Sequence, residues 1–134
     1  MSDVDEAERL TPLQRLGSVS RQYERLTDGY RQVALDAAAA EAAHKTARAK
    51  VILNVKAVAK GESERISHAE AETRAEADDD VAALFLARLT KAALADSHRE
   101  KLRQLREQVA TGRTAVASDR AADGHHASGY TGAA

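Results

Sequence analysis

The chain of 134 residues has no cysteine and no tryptophan, and only one proline and one phenylalanine. Without cysteine there is neither a disulfide framework nor a thiol nucleophile, which fits a reducing cytoplasm. The scarcity of aromatic side chains excludes a globular core built on large residues, so alanine, leucine and valine must supply the burial. No apolar run approaches the roughly 18 residues of a membrane span, and the acidic N-terminus lacks the apolar core of a signal peptide. We therefore expect a cytoplasmic protein without a membrane partner.

Proline and glycine placement predicts an all-α fold. Thr11 and Pro12 form a helix start, with threonine at the N-cap and proline at the first helical position. Gly61 then separates two long proline-free segments, and Ser67 with Glu70 forms a second capping box. The sequence predicts one helical hairpin, residues 11–117. Its parts are helix 1 at about 11–60, a turn at 61–66 and helix 2 at about 67–117.

The apolar residues of both segments follow heptad-like spacing, which indicates a coiled-coil-like, antiparallel pair. We expect the residue numbers of facing positions to sum to about 127. In that arrangement Phe85, Leu86 and Leu89 face the alanines of 37–43, large against small, with a stutter in the seam near 96–98.

Both ends of the chain lack the pattern of the hairpin. Residues 1–10 carry four acids and one arginine, and we expect a flexible acidic arm. Residues 118–134 are rich in Gly, Ala and Ser with little to bury, and we expect a disordered tail.

The end of helix 1 is apolar on nearly every side, which indicates burial on more than one face. The sequence therefore favours a homo-oligomer, most simply two hairpins forming a four-helix bundle, or a higher assembly. The alternative is that the N-terminal turns fold back over this region. The predicted oligomer interface comprises Val51, Ile52, Val55 and Val58.

At the open end of the predicted hairpin, basic residues outnumber acidic ones. A basic surface binds phosphates or an acidic peptide; a solvated arginine-rich face is the plainer interpretation. The candidate binding residues are Arg99, Lys101, Arg103, Arg106, Arg113, Arg21 and Arg25.

No motif in the chain predicts catalysis, a cofactor, a small-molecule substrate or a metal site. The carboxylates at 78–80 are consecutive on a helix and diverge over about 200°, so we interpret them as a solvated charge run. His125 and His126 lack further ligands at suitable spacing, and His44 fits a core position. We expect a non-enzymatic protein.

The segment from Leu102 to Arg113 reads LRQLREQVATGR and resembles an LRxLRxxxxxxR pattern of small, alanine- and charge-rich helical proteins from tailed bacteriophages and prophages. Their layout of a long helix, a turn after glycine and an acid-rich second helix is similar. Some of these proteins accompany recombination and single-stranded-DNA genes. The resemblance implies a phage accessory protein in the host cytoplasm.

Together these features predict a non-catalytic adaptor in phage DNA recombination or replication. Its basic end would bind single-stranded DNA or the acidic tail of a single-stranded-DNA-binding protein. The alternatives are a structural or scaffolding coiled coil, in a virion or as a spacer, and an inhibitor of a host protein. The sequence leaves these open.

Overall fold

The structure, a computed structural model, describes residues 10–131, with side-chain surroundings given as far as residue 125. This part of the chain is helical, without β-strands, and its two long helices pack against each other as a helical hairpin. The predicted all-α hairpin is therefore confirmed. The helices are α1 (Pro12–Gly61), α2 (His68–Glu76) and α3 (Asp79–Thr131).

The described residues divide into two compact units. The loop unit comprises residues 30–97, and the terminal unit comprises residues 10–29 and 98–131. Each contains one stretch of α1 and one of α3. No helix in residues 10–131 has the length and apolarity needed to cross a membrane.

The start of α1 is the capping box that the sequence predicts. The backbone N–H of Gln14 donates to Thr11 Oγ1 at 3.3 Å, and the N–H of Thr11 donates to Gln14 Oε1 at 3.0 Å. Pro12, which has no N–H to offer, begins the helix at the position where none is needed. Most of the acidic arm, residues 1–9, lies outside the described residues.

The end of α1 differs from expectation in one detail. Gly61 is its last residue and has no left-handed backbone; the left-handed residue is Ser63, with φ of 56°. The N–H of Glu64 donates to Ala59 O at 2.8 Å, and that of Ser63 to Lys60 O at 3.2 Å. These two bonds form a Schellman motif centred on a serine instead of a glycine.

Helix 2 of the prediction is two helices in the structure. Ser67 caps α2 as expected, its Oγ accepting from the N–H of Glu70 at 3.1 Å. The chain then leaves the helix at Ala77, and Asp78 Oδ1 accepts from the N–H of Asp80 and of Val81 at 3.0 and 3.1 Å. Asp78 is thus the N-cap of α3 and not a member of a solvated run, because its carboxylate accepts backbone N–H groups of the first turn.

The far end of α3 also departs from the prediction. The helix continues to Thr131, where a disordered tail from 118 was expected. Four alanines between Ala115 and Ala122 favour helix, and no proline interrupts them. Residues 117–125 are all exposed, so the expectation that they bury little is correct.

The loop unit has a small core at the base of the hairpin. Ile52 is buried with Ala71 and Ala75, and Val51 and Val55 pack against them. The predicted contact of Val51 and Val55 with the two alanines is confirmed. The side chain of Arg48 lies 3.6 and 3.5 Å from the carboxylates of Glu72 and Glu76 and links α1 to α2.

Farther along the loop unit, the predicted register is right and the predicted rotation of α3 is wrong. Arg88 reaches Glu41 across the pair, within two residues of the expected alignment. The residues of α3 that turn inward, however, are Val81, Leu84, Arg88 and Ala95. Their spacing continues unbroken into the terminal unit at 98, 102 and 105, without the expected stutter.

As a consequence, three large apolar side chains of α3 lie outside the seam. Leu86 is 65% exposed and Leu89 is 50% exposed, although the prediction placed them against the alanines of α1. Phe85 lies at the edge, 5.2 Å between ring centroids from the buried His44. Arg88 Nη1 donates to His44 Nδ1 at 3.2 Å, so the imidazole proton is on Nε2. An arginine bonded to the buried histidine therefore takes the inward position on α3 where leucine was expected.

Candidate functional site: the arginine row of the terminal unit

The terminal unit is held by a heptad seam. On α3 the inward positions recur at alternating spacings of four and three residues, with Leu105 the most buried at 5% exposure. On α1 the matching residues are half-buried Leu16, Val19, Tyr23 and Leu26. The inward residues of α3 here are His98, Leu102, Leu105, Val109, Gly112 and Val116.

Four arginines of α3 recur every seven residues along one flank of this seam. Three of them directly follow an inward residue: Arg99 follows His98, Arg106 follows Leu105 and the third follows Gly112. Because seven residues are nearly two helical turns, the four lie in one row, about 10 Å apart. We call them the arginine row: Arg99, Arg106, Arg113 and Arg120.

Arg106 and Arg113 border a shallow groove of about 390 Å³ between the two helices. Its floor is apolar, and the opposite rim on α1 carries a single acid, Glu24. The remaining lining residues are Ser20, Tyr23, Val109 and Ala110. We call this the row groove.

The arginines that border the row groove form no ion pair within the part of the chain that the structure describes. Within the described residues no ion pair is formed by Arg106, Arg113 or Arg120, whereas Arg99 has an interaction of its own. In antiparallel coiled coils, charged residues that flank the seam are usually matched by opposite charges on the facing helix. Here α1 offers Ser20, Tyr23 and one acid, Glu24, which forms no ion pair with either arginine.

Arg103, a predicted binding residue, is already occupied. Its Nη2 lies 2.5 Å from Glu100 Oε1 and its Nη1 lies 2.6 Å from Glu107 Oε1. These bonds raise the pKa of Arg103, first through the hydrogen bond to Glu100. The same pair lowers the pKa of Glu100, and the largest cause of this lowering is the hydrogen bond from Arg103. The arginine is thereby held in a local pair on the outer side of α3.

The other predicted binding residues do not join the row. Lys101 and Arg25 border a second groove with Leu105 as part of its wall. Arg21 borders a third, beside Gly17 on the outer side of α1. The structure therefore separates the seven candidates into different surfaces, and brings together Arg99, Arg106 and Arg113.

Sequence reasoning missed the fourth member, Arg120, because its position fell in the segment expected to be disordered. The signal was present, since the seven-residue spacing is visible in the sequence alone. Over residues 10–29 and 98–131, nine basic residues stand against six acidic ones. The acids of residues 1–9 lie outside the described residues.

Only part of the predicted oligomer interface is exposed on the surface. Ile52 is 8% exposed and belongs to the intramolecular core, with Val51 and Val55 against it. Val58 is 52% exposed, and Leu53, on the same helix, is 68% exposed. Three of the four residues that were expected to hold a second copy, Val51, Ile52 and Val55, thus pack against α2.

In residues 10–131 no three His, Asp or Glu side chains are grouped as they would be around a metal ion. His44, as expected, packs in the core, at 7% exposure. Comparison with protein-family models, with curated proteins and with solved structures gives no match to this chain.

Proposed function

We propose that this chain is a non-catalytic adaptor that binds an acidic protein segment along the row groove. The observation that carries the proposal is the pair Arg106 and Arg113, which flank an apolar floor and have no ion pair among the described residues. Charged residues beside a coiled-coil seam form salt bridges between helices and so determine which helix binds there. An amphipathic acidic helix would place its apolar side on Tyr23 and Val109 and its carboxylates on the arginines.

This geometry favours a protein partner over DNA. Single-stranded DNA is usually held by exposed aromatic platforms, and the groove's one aromatic, Tyr23, is half-buried in the seam. The segment that contains Arg106 and Arg113 is also the one that resembles phage helical proteins. We therefore propose, as the partner, an acidic tail of the kind carried by single-stranded-DNA-binding proteins, in DNA recombination or replication.

Binding of two polyanions of equal charge tests the proposal: an acidic amphipathic peptide and an oligothymidylate, each fluorescently labelled and titrated with the full chain. We expect the peptide to bind more tightly than the oligothymidylate. The double change R106Q/R113Q should weaken peptide binding roughly tenfold, since two exposed ion pairs contribute about 1–2 kcal/mol.

R103Q is the matched control, because Arg103 lies on the same helix but is paired with its own glutamates. It should leave the affinity within about twofold. Tighter binding of the oligothymidylate, abolished by R106Q/R113Q, would assign the row to nucleic acid instead. Equal weakening by R103Q and R106Q/R113Q would show that general charge, and not the groove, is responsible.

A structural or scaffolding assembly is a second candidate function. The observation in its favour is the exposed apolar surface of the loop unit, where Leu53 and Leu86 are each about two-thirds exposed. A chain whose buried apolar residues are mainly alanine stabilises itself weakly and gains by covering these leucines.

A further inference from the structure

The loop unit carries two apolar stripes that no part of the unit covers. On α3, Ala82, Leu86, Leu89 and Ala93 recur at alternating spacings of four and three, and all are exposed. We call this the leucine stripe. On α1 an equally regular set, again all exposed, forms the alanine stripe: Leu35, Ala39, Ala42, Thr46, Ala49 and Leu53.

Both stripes point away from the intramolecular seam. Ala42 and Thr46 lie about 160° around α1 from the buried His44. Leu86 lies roughly 180° around α3 from the line of Val81 and Ala95. The two helices that pack against each other therefore cannot cover either stripe, and each stripe needs a helix from elsewhere to bury it.

The stripes are complementary in side-chain size. The leucine stripe has two large side chains at its centre, and the alanine stripe has four small residues between Leu35 and Leu53. Large side chains set against small ones allow two helices to pack closely without voids. The leucine stripe is about 16 Å long and the alanine stripe about 27 Å, so the first fits between the terminal leucines of the second.

The charges beside the stripes are complementary as well. Asp79 continues the leucine stripe. Neither Asp79 nor its neighbour Asp80 forms an ion pair within the described residues. Lys50 adjoins the alanine stripe and is likewise without an ion pair among residues 10–131. Antiparallel docking of the leucine stripe on the alanine stripe brings the two aspartates towards this lysine.

We propose that copies of this chain associate head to tail, the leucine stripe of one copy binding the alanine stripe of the next. Such an interface joins two different surfaces, so each copy keeps one stripe free for a further neighbour and the assembly grows to a ring or a filament. The inference uses only the loop unit, so it is independent of the row groove and of the acidic partner proposed for it.

Two variants, each blocking one stripe, test the proposal in the full chain. L86E/L89E blocks the leucine stripe, and A42E blocks the alanine stripe. All three positions are exposed, so circular dichroism should show unchanged helicity, and the milder L86Q provides a second variant of the first stripe. L13E, at an exposed leucine of the terminal unit, is the matched control.

Size-exclusion chromatography with light scattering provides the readout. We expect the wild type and L13E to form species larger than a dimer, and each blocked variant alone to fall to the 14.4 kDa monomer. An equimolar mixture of L86E/L89E and A42E should form a dimer and nothing larger, since one intact stripe of each kind remains.

Three outcomes would overturn the proposal. A monomeric wild type at high concentration would exclude the interface. Assembly of A42E like the wild type, with L86E/L89E monomeric, would show that leucine stripes pair with each other. Failure of the two folded monomeric variants to combine would show that the stripes do not bind one another.

Discussion

Gly112 of α3 lies directly against Leu16 of α1. A Cβ added at Gly112 would stand 3.1 Å from Leu16 Cδ1 and 3.7 Å from Leu16 Cα, so the missing side chain allows the helices of the terminal unit to approach closely. Gly29, also inside a long helix, has nothing within 4 Å of such a Cβ. The two glycines form a matched pair for measuring this close approach.

We expect G29A to raise the free energy of unfolding by about 1 kcal/mol, the usual gain of alanine over glycine within a helix. G112A should gain less, because the new methyl group must displace Leu16 Cδ1, and G112L should be destabilising by roughly 1–3 kcal/mol. Urea unfolding followed by circular dichroism measures all three. Equal gains at the two positions would mean that Leu16 does not restrict Gly112.

The left-handed turn at Ser63 gives a second prediction. This conformation costs a residue with a Cβ roughly 1–2 kcal/mol, and glycine avoids that cost. The greater freedom of glycine in the unfolded chain offsets about 0.4–1 kcal/mol of the gain. S63G should therefore stabilise the protein by roughly 0.5–1 kcal/mol.

G61A is the counterpart in the same measurement, because Gly61 is helical and its surroundings are open. We expect G61A to be neutral or stabilising by up to about 1 kcal/mol. A marked loss of stability in G61A, with no gain in S63G, would place the left-handed residue at Gly61.

The side chain of Asp78 gives a third prediction. D78A removes an acceptor shared by two backbone N–H groups at the start of α3, so the free energy of unfolding should fall by about 1 kcal/mol. D78N keeps an oxygen at the same place and should lose only a few tenths. Chemical denaturation compares the two. If D78A is harmless, α2 and α3 form one continuous helix in solution.

The pair of Arg103 and Glu100 gives a prediction about titration. The hydrogen bond from Arg103 lowers the pKa of Glu100, so R103Q should raise that pKa towards the ordinary glutamate value. Glu41 is the internal control, because Lys45 lowers its pKa in the loop unit and R103Q should leave it unchanged.

Carboxyl chemical shifts followed by NMR between acid and neutral pH measure both groups. A lowered carboxyl pKa favours the folded state above the pKa of the unfolded chain, and this contribution disappears as the pH falls through the lowered value. R103Q should therefore make stability less sensitive to acid in that range. An unchanged pKa of Glu100 in R103Q would show that the pair does not persist in solution.

The parts of the fold that sequence reasoning predicted are those fixed by local chemistry. Thr11 and Ser67 each start a helix because their hydroxyls accept a backbone N–H, and Pro12 fits the first turn because it has no N–H; neither effect depends on where the chain lies in space. The alignment of the helices also followed from sequence, because the length of the turn after Gly61 determines which residues face each other.

The rotation of α3 was not predictable in the same way. An alanine-rich helix with Phe85, Leu86 and Leu89 on one side offers more than one apolar face, and the choice depends on tertiary partners. Arg88 is inward because it hydrogen-bonds the buried His44, a pairing between residues 44 positions apart that no local pattern reveals. The arginine row was affected by a different error, because Arg120 lies in the segment that was expected to be disordered.

The continuation of α3 beyond the seam has a consequence for how the protein melts. Residues 117–125 are all exposed, so burial of side chains adds little to the backbone hydrogen bonds and helix propensity that hold this stretch. Helices of this kind unwind gradually and from their ends, without the sharp transition of a packed unit. The helical signal should therefore decline steadily on warming, well before the hairpin itself unfolds.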